Sequence, residues 1–189
     1  MKYNTLFGEC SIDGKSNRPR YKRFFMGYNP LSVSEEQFTA SSIIKELYPD
    51  TTPYFRLKLA LETQKLRIHI PSTTANKDVE EAARKVGDLR AISEADKDVL
   101  AIALDLSRNG YSPQLVSDDY AVQNIAELLG LKYVSLTTHG IRYHFKWTLY
   151  CPACKRTYGP DTEQTVCIIC GTRLKRKVLR KRAIEGRKP

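Results

Sequence analysis

The segment SEADKDVLAIALDLSRNG, residues 93–110, is the clearest predicted helix in the chain. Four apolar side chains recur at i, i+3, i+4 and i+7 and therefore share one helical face: Val99, Ile102, Ala103 and Leu106. Ser93 is a suitable N-cap, and Gly110 lies just past the end. The segment predicts an amphipathic helix with one side packed against a core.

Around this helix, helical and strand-like segments alternate along the chain. The pattern predicts further helices over 32–47, 54–63, 76–87 and 120–130. It predicts strands over 65–70, 113–117 and 131–136. This alternation is typical of an α/β domain with a mainly parallel sheet flanked by helices.

The 189 residues are enough for one full domain and a small appendage. Hydrophobic residues make up 41% of the chain, which allows a core, and no apolar run approaches the roughly 18 residues of a membrane span. The start, MKYNTLFGECSIDGK, lacks the pattern of a secretory signal. We therefore expect a cytoplasmic protein with reduced thiols.

The formal charge of +10 is concentrated near the C-terminus. From Gly171 onward, the sequence contains nine Lys or Arg residues and a single acid, Glu185. Such a segment predicts a partner with regular negative charge, of which nucleic acid is the commonest and an acidic membrane surface the second. A solvated tail that only aids solubility is the alternative.

Four of the five cysteines form two C-x-x-C pairs with twelve residues between them: Cys151, Cys154, Cys167 and Cys170. Two tight turns of this kind direct four sulfurs at one point, which favours a closed, structural zinc site. Two disulfides or an iron–sulfur centre are the alternatives. Cys10 stands apart and is interpreted as a plain thiol.

Cationic residues and one Trp flank these cysteines and are candidates for RNA binding through phosphate contacts and base stacking: Arg142, Lys146, Trp147, Arg173, Lys175, Arg176 and Lys177. Packing at a domain junction is the alternative role for Trp147. After Leu136 the helical period disappears, so we predict a domain over 1–140, a zinc ribbon over 141–178 and a basic tail over 179–189.

Acidic residues occupy positions at which α/β domains place their active sites: Glu46, Asp96, Asp118 and Asp119. Each has an ordinary alternative, since Asp96 could complete a capping box, Asp119 could cap a helix and Glu46 could be a surface charge. Together they predict a site for a divalent cation that assists phosphodiester hydrolysis.

Three stretches carry a resemblance to a known family: 82–106, AARKVGDLRAISEADKDVLAIALDL; 115–132, LVSDDYAVQNIAELLGLK; and 145–171, which begins FKWTLYCPACKRTYG and ends CIICG. They resemble archaeal members of the Nob-one family. These are PIN-domain endonucleases with a zinc ribbon that trim the 3′ end of precursor small-subunit ribosomal RNA. The resemblance covers about 27–177 and implies an endoribonuclease that acts on the pre-ribosomal small subunit.

The resemblance also implies roles for individual residues. Glu46, Asp96 and Asp119 correspond to acids that hold Mg²⁺ or Mn²⁺, with Asp118 as a possible substitute. Ser117 corresponds to a Thr or Ser that supports the site. Gln123 and Asn124 match a QN pair that orients the following helix. No histidine is required by this assignment.

The front of the chain departs from the family pattern. Arg20 or Tyr21 stands where PIN domains place their first Asp, and Asp13 is the nearest replacement. The segment MKYNTLFGECSIDGKSN is also a poor central strand, because it contains many Gly, Asn and charged residues. Either true divergence or a shifted reading frame would produce both features. The alternative functions are therefore a catalytically impaired, RNA-binding assembly factor, or a zinc-ribbon protein that binds DNA or another protein.

Overall fold

The computed structural model describes residues 5–9, 30–32, 34–47, 49–135, 143–160, 162 and 164–183. Its elements, after a short 3-10 turn at Pro30–Ser32, are β1 Thr5–Glu9, β2 Gln37–Thr39, α1 Ser41–Glu46, α2 Thr52–Glu62, β3 Leu66–Ile68, α3 Thr73–Val86, α4 Glu94–Arg108, β4 Ser112–Val116, α5 Tyr120–Leu128, β5 Lys132–Val134, β6 Tyr143–Tyr150, β7 Thr157–Tyr158 and β8 Lys175–Ala183. Within these ranges, every helix is too short or too polar to cross a membrane.

The first sheet has five strands in the order β3-β2-β1-β4-β5. β2 pairs with β3, and β4 with β5, in parallel, whereas β1 runs antiparallel to both of its neighbours. The predicted α/β class is confirmed, and the exception to the parallel arrangement is the central strand. Because Thr5 pairs with Val116, β1 begins at the edge of the sheet where β4 ends.

The sequence argues against a central strand near the N-terminus, yet β1 lies in the middle of the sheet. The strand is short, and its sequence TLFGE contains only one glycine and one charged residue. A five-residue strand therefore avoids most of the residues that make the longer segment unfavourable.

The predicted helix over 32–47 is wrong in its first half. Residues 37–39 form β2, in which Gln37 and Thr39 are buried and Phe38 is half-buried, as alternation across a pleated strand requires. The Gln37 side chain donates to the carbonyl of Pro30 at 2.9 Å, so its burial leaves the amide nitrogen satisfied. The helix begins only after Ala40, whose backbone is extended.

The other predicted helices and strands are confirmed, with ends shifted by a few residues. α4 begins with a capping box, in which the Ser93 hydroxyl accepts from the backbone of Asp96 and the Asp96 carboxylate accepts from the backbone of Ser93. α3 ends at Gly87, which adopts the left-handed conformation.

The five-stranded sheet is covered on both faces. Leu115 faces the larger apolar cluster, which includes Val79 of α3, Leu100 of α4 and Ile125 of α5. Its neighbour Val116 faces the smaller cluster, which α2 and β3 complete. Successive residues of one strand therefore contact opposite layers, which is the arrangement of a three-layer α/β domain.

The second sheet is three-stranded, in the order β7-β6-β8. β6 and β8 pair antiparallel from Tyr150↔Lys175 to Tyr143↔Ala183, with a bulge between Lys146 and Trp147. Strand β8 thus continues past residue 178, the predicted boundary between the zinc ribbon and the basic tail. The domain division at residue 140 stays a prediction, because residues 136–142 lie outside the described ranges.

A buried polar cluster joins the two sheets. Asn124, which is 2% exposed, donates from Nδ2 to the Phe145 carbonyl at 2.8 Å and to Asp88 Oδ2 at 2.6 Å. Its Oδ1 accepts from the Phe145 backbone at 3.0 Å. Arg176 of β8 pairs with the other oxygen of Asp88 and lies over the Trp147 ring, 4.5 Å from the centroid. Since each partner comes from a different element, this cluster fixes the second sheet against α3 and α5.

Gly87 provides a test of this junction. Its φ is +76°, and a Cβ added there would lie 2.9 Å from the Trp147 carbonyl oxygen, whereas Gly130 has φ +69° and open space around it. Both alanine variants suffer left-handed backbone strain of about 1 kcal/mol. Only Gly87→Ala must also displace β6, so we expect it to lower the free energy of unfolding by about 2 kcal/mol or more. Urea denaturation of both variants measures this, and equal losses would contradict the close contact.

Candidate functional site

The predicted acidic residues lie around one edge of the five-stranded sheet. β2 and β4 are both antiparallel to β1, so they run in the same direction and end at the same edge. Glu46 ends the helix that follows β2, and Asp119 follows β4 and caps α5. Asp96 lies in the first turn of α4. Loops after parallel strands form the binding crevice of α/β domains.

Asp96 is the most deeply buried of these acids, at 2% exposure. One oxygen, Oδ2, accepts from the Ser93 backbone at 2.7 Å, while Oδ1 has no hydrogen-bond partner among the described residues. Burial, with a smaller contribution from the negative charges of Asp119 and Glu46, raises the pKa of Asp96 to about 6 against the lowering effect of the Ser93 hydrogen bonds. The three acids therefore lie close enough to repel one another.

Asp119 is 7% exposed and is held by its neighbours in the chain. Its Oδ1 accepts from the Ala121 backbone at 2.8 Å, and its own backbone nitrogen donates to the Ser117 hydroxyl at 3.1 Å. Gln123 then donates to the Ser117 carbonyl at 2.7 Å. The capping roles considered for Asp96 and Asp119 are thus present, and they orient both carboxylates.

Asp118 and Glu46 are less constrained than the other two acids. Asp118 is half-buried and accepts from the Ser135 hydroxyl at 2.6 Å, beyond the end of β5. Glu46 is half-buried at the end of α1. In the described part of the chain, no three of these acids bring their carboxylate oxygens within 4.8 Å of one another. The acids converge without closing into a tight cluster.

The first acid of the PIN pattern is not supplied by the described part of β1. Glu9 pairs with Ser112, at the edge of the sheet opposite to the acids, and the strand begins at the acidic edge with Thr5. Asp13, Arg20 and Tyr21 lie outside the described residues.

Sequence reasoning missed two acids that organise the site. Asp98 accepts from the Ser42 hydroxyl at 2.6 Å and so ties α4 to α1, one turn before Glu46. Asp88, at 1% exposure, accepts from Asn124 and Arg176 in the junction between the sheets. Both contacts join residues far apart in the chain, so no local spacing could have indicated them.

The four cysteines form one group whose sulfurs all lie within 4.8 Å of one another. The Sγ atoms of Cys151 and Cys170 are 3.4 Å apart, and those of Cys154 and Cys167 are 3.5 Å apart. The Tyr158 hydroxyl lies 2.9 Å from Cys167 Sγ, and this contact lowers the pKa of Cys167 to about 6. Four convergent thiols, one of them ionised readily, suit a metal ion.

The predicted RNA-binding residues fall into two groups. The first group is exposed on the second sheet and its loops and consists of Lys146, Arg173, Lys175 and Lys177. Lys177 lies 5.4 Å from the centroid of the Tyr150 ring. Arg176 and Trp147 lie at the junction, where Trp147 packs against Gly87. Arg142 is outside the described residues.

Both histidines in the described ranges, His69 and His144, are half-buried. His69 packs against Phe38 in an edge-to-face contact, with ring centroids 6.0 Å apart. His144 is half-buried in β6, and burial lowers its pKa. His139 lies outside the described residues.

The raised pKa of Asp96 predicts a stability change with a defined sign. Its pKa rises on folding from 3.8 to about 6, so ionisation opposes folding and the protein loses stability as pH increases from about 4 to 6. Each factor of ten is about 1.4 kcal/mol, so the cost is at most about 3 kcal/mol. Asp96→Asn retains an acceptor for the Ser93 backbone and removes this cost. We expect it to be more stable than the wild type above pH 6 in buffer without Mg²⁺ or Mn²⁺.

Urea denaturation at a series of pH values measures the effect. The advantage of Asp96→Asn should disappear below about pH 4, where the carboxyl is protonated in both states. Glu94→Gln, in the same helical turn but exposed, is the control and should show no such pH dependence. A constant difference at every pH would contradict the electrostatic origin.

Comparison with known proteins identifies relatives over most of the chain. Residues 25–106 match the family described as the PIN domain of ribonuclease. Endoribonuclease Nob1 of Methanocaldococcus jannaschii is 34% identical over 162 residues, covering 86% of this chain and 77% of the relative. Endoribonuclease Nob1 of Methanothermobacter thermautotrophicus is 34% identical over 154 residues, covering 82% and 88%. The chain belongs to the Nob1 family of PIN-domain endoribonucleases.

Proposed function

We propose that the protein is a metal-dependent endoribonuclease that cleaves precursor small-subunit ribosomal RNA at its 3′ end during ribosome biogenesis. The observation that carries this proposal is the buried Asp96 carboxylate, whose pKa the charges of Asp119 and Glu46 help to raise. A protein tolerates mutually repelling acids in a crevice where a cation neutralises them.

Glu46, Asp96 and Asp119 would hold Mg²⁺ or Mn²⁺, with Asp118 as a neighbouring acceptor. Such an ion, when bound, polarises the phosphate and lowers the pKa of an attacking water. Mg²⁺ usually keeps several water ligands and uses only one or two carboxylates directly. The spacing of the acids is compatible with that mode, since it does not require all three to touch the ion. The chain's own contribution is to orient the acids through the Ser93 and Ala121 hydrogen bonds.

We propose zinc as the ion of the cysteine cluster. With Zn–S bonds of about 2.3 Å, the sulfurs of a tetrahedral site lie about 3.8 Å apart. The separations of 3.4 and 3.5 Å between the paired sulfurs are close to that value. All four positions would be filled by protein, so the role is structural. Reduced thiols of this kind suit the cytoplasm, where we place the protein's action.

The second sheet would hold the RNA. Lys175 and Lys177 lie on β8, an exposed and strongly basic edge strand, and Lys146 lies on the adjacent β6. Cations along an edge strand attract phosphates and also prevent the strand from pairing with another protein. Precursor ribosomal RNA within the pre-ribosomal small subunit is the proposed partner.

A second candidate function is an RNA-binding assembly factor that cannot cut. One observation favours it: the described part of β1 brings no acidic residue to the catalytic edge, where PIN domains place one. On this proposal the protein would bind the same RNA, with the acids serving only as helix caps.

Cleavage of an RNA that spans the mature 3′ end, in the presence of Mn²⁺, separates these two functions. We expect Asp96→Asn to reduce the rate on the order of 100-fold, as loss of one electrostatic group at a reaction centre does. Glu94→Gln, which removes an exposed acid two residues away, should cut like the wild type. Binding without cleavage by every protein, including the wild type, would support the assembly factor.

Removal of the zinc should weaken RNA binding more than it disturbs the catalytic domain. We expect a strong chelator to release about one zinc per chain and to weaken RNA binding, because the second sheet loses the four metal–sulfur bonds that stabilise its fold. Metal content and RNA affinity are measured together. Cys167→Ser should behave like the chelated protein, while Cys10→Ser should retain zinc, and zinc loss from both variants would contradict the assignment.

A zinc-ribbon protein that binds DNA would behave differently in competition. Duplex DNA should displace the RNA poorly at every salt concentration if the substrate is RNA. Phosphate contacts alone weaken with salt for either polymer, so selectivity must be compared at matched ionic strength.

A further inference from the structure

A concave pocket lies between the end of α3 and the second sheet, and none of the four cysteines lines it. Arg84, Arg90 and Arg176 contribute its cations, and Leu89, Trp147 and Leu149 contribute its apolar wall. The space among these residues is about 580 Å³ when the open solvent at its mouth is counted with it. Ligand sites commonly combine a concave apolar surface with a few polar groups.

Among the described residues, the pocket has more positive than negative charge. Arg176 is paired with the buried Asp88. Arg84 and Arg90 are exposed, and in the described part of the chain neither forms an ion pair with an acid. Arg90 donates to the carbonyl of Gln164 at 3.2 Å, which holds its guanidinium beside the pocket. Because these two guanidinium groups have no acidic partner among the described residues, they favour an anion, and phosphate is the anion whose geometry they match.

The apolar wall is held in place by the junction. Arg176 covers one side of Trp147 at 4.5 Å, and Gly87 packs against the Trp147 backbone. The Trp147 side chain therefore needs little ordering when a flat ligand contacts it. Aromatic side chains placed beside cations are the usual receptors for unpaired bases.

The pocket also lies near the catalytic edge. Asp88, which pairs with Arg176, accepts from Asn124, and Asn124 lies five residues after Asp119 in the helix that Asp119 caps. An RNA strand that reached from the acids to the basic strand β8 would therefore pass this junction.

We infer that this pocket binds a single unpaired nucleotide of the RNA, with Arg84 and Arg90 on its phosphate and Trp147 in contact with its base. The inference rests on the proposed action on RNA and adds a second point of attachment, distinct from the catalytic acids. It would hold the strand in register relative to the acidic edge.

Trp147 is the only tryptophan in the chain, so its fluorescence reports on the pocket directly. The four nucleoside monophosphates are titrated against the full-length protein, with the uncharged nucleosides and inorganic phosphate as separate probes. We expect a saturable change with the monophosphates, a weaker one with either part alone, and a loss of affinity of about tenfold in Arg84→Ala and in Arg90→Ala.

Lys85→Ala is the matched control, since Lys85 lies beside Arg84 in α3 but pairs with Glu81 at 2.6 Å and does not line the pocket. It should bind within about twofold of the wild type, because a solvent-exposed pair contributes little. No saturable signal, equal weakening by all three variants, or equal affinity for inorganic phosphate and the monophosphates would overturn the inference.

The result of the fluorescence titration does not depend on whether the protein cleaves RNA. Wild-type protein that cuts RNA but shows no signal from Trp147 would overturn the nucleotide pocket and leave the nuclease intact. A saturable signal in protein that does not cut would leave the pocket standing while the nuclease failed.

Discussion

The burial of acidic side chains that repel one another is the constraint to which the rest of the structure must conform. Asp96 is 2% exposed and Asp119 7% exposed, and each is aimed by hydrogen bonds to a helix terminus. The backbone donors there and the helix dipole stabilise the carboxylates only in part, since burial still raises the pKa of Asp96. The fold thus maintains a local deficit of positive charge. This unneutralised negative charge lowers the free energy of unfolding unless a cation binds. The packing of the rest of the domain must therefore compensate for the loss.

Much of this arrangement could be predicted from sequence because it is local. The capping box of α4, the Asp119 cap and the C-x-x-C pairs each lie within a few residues, so their spacing carries the information. Strand β2 could not be predicted, because the buried Gln37 and Thr39 resemble surface residues of a helix. Their burial is set by the strands on either side, which are distant in sequence, and by the Pro30 carbonyl, seven residues before Gln37.

The junction between the two sheets shows more clearly that contacts between distant residues could not be predicted from the sequence. The QN pair in α5 is visible in the sequence, but the partners of Asn124 are not, since Asp88 lies in the loop after α3 and Phe145 lies in β6. Residues with a basic, RNA-binding appearance, such as Arg176, can instead pair with a buried acid, here Asp88. Removal of one member of such a pair is costly because the other is left buried and charged. Charge composition alone therefore could not distinguish a junction residue from a surface cation.

The junction also has consequences for the two sheets as a unit. A short ribbon held by four thiols has little apolar core, and a flexible connection would leave its basic strand without a fixed direction. Asn124 bonds both backbone groups of Phe145, so the middle of β6 is fixed to α5, the helix that Asp119 caps. Any shift of β6 would therefore strain the same helix that orients a proposed metal ligand. The position of the basic strand and the geometry of the acidic edge are thus set by one helix.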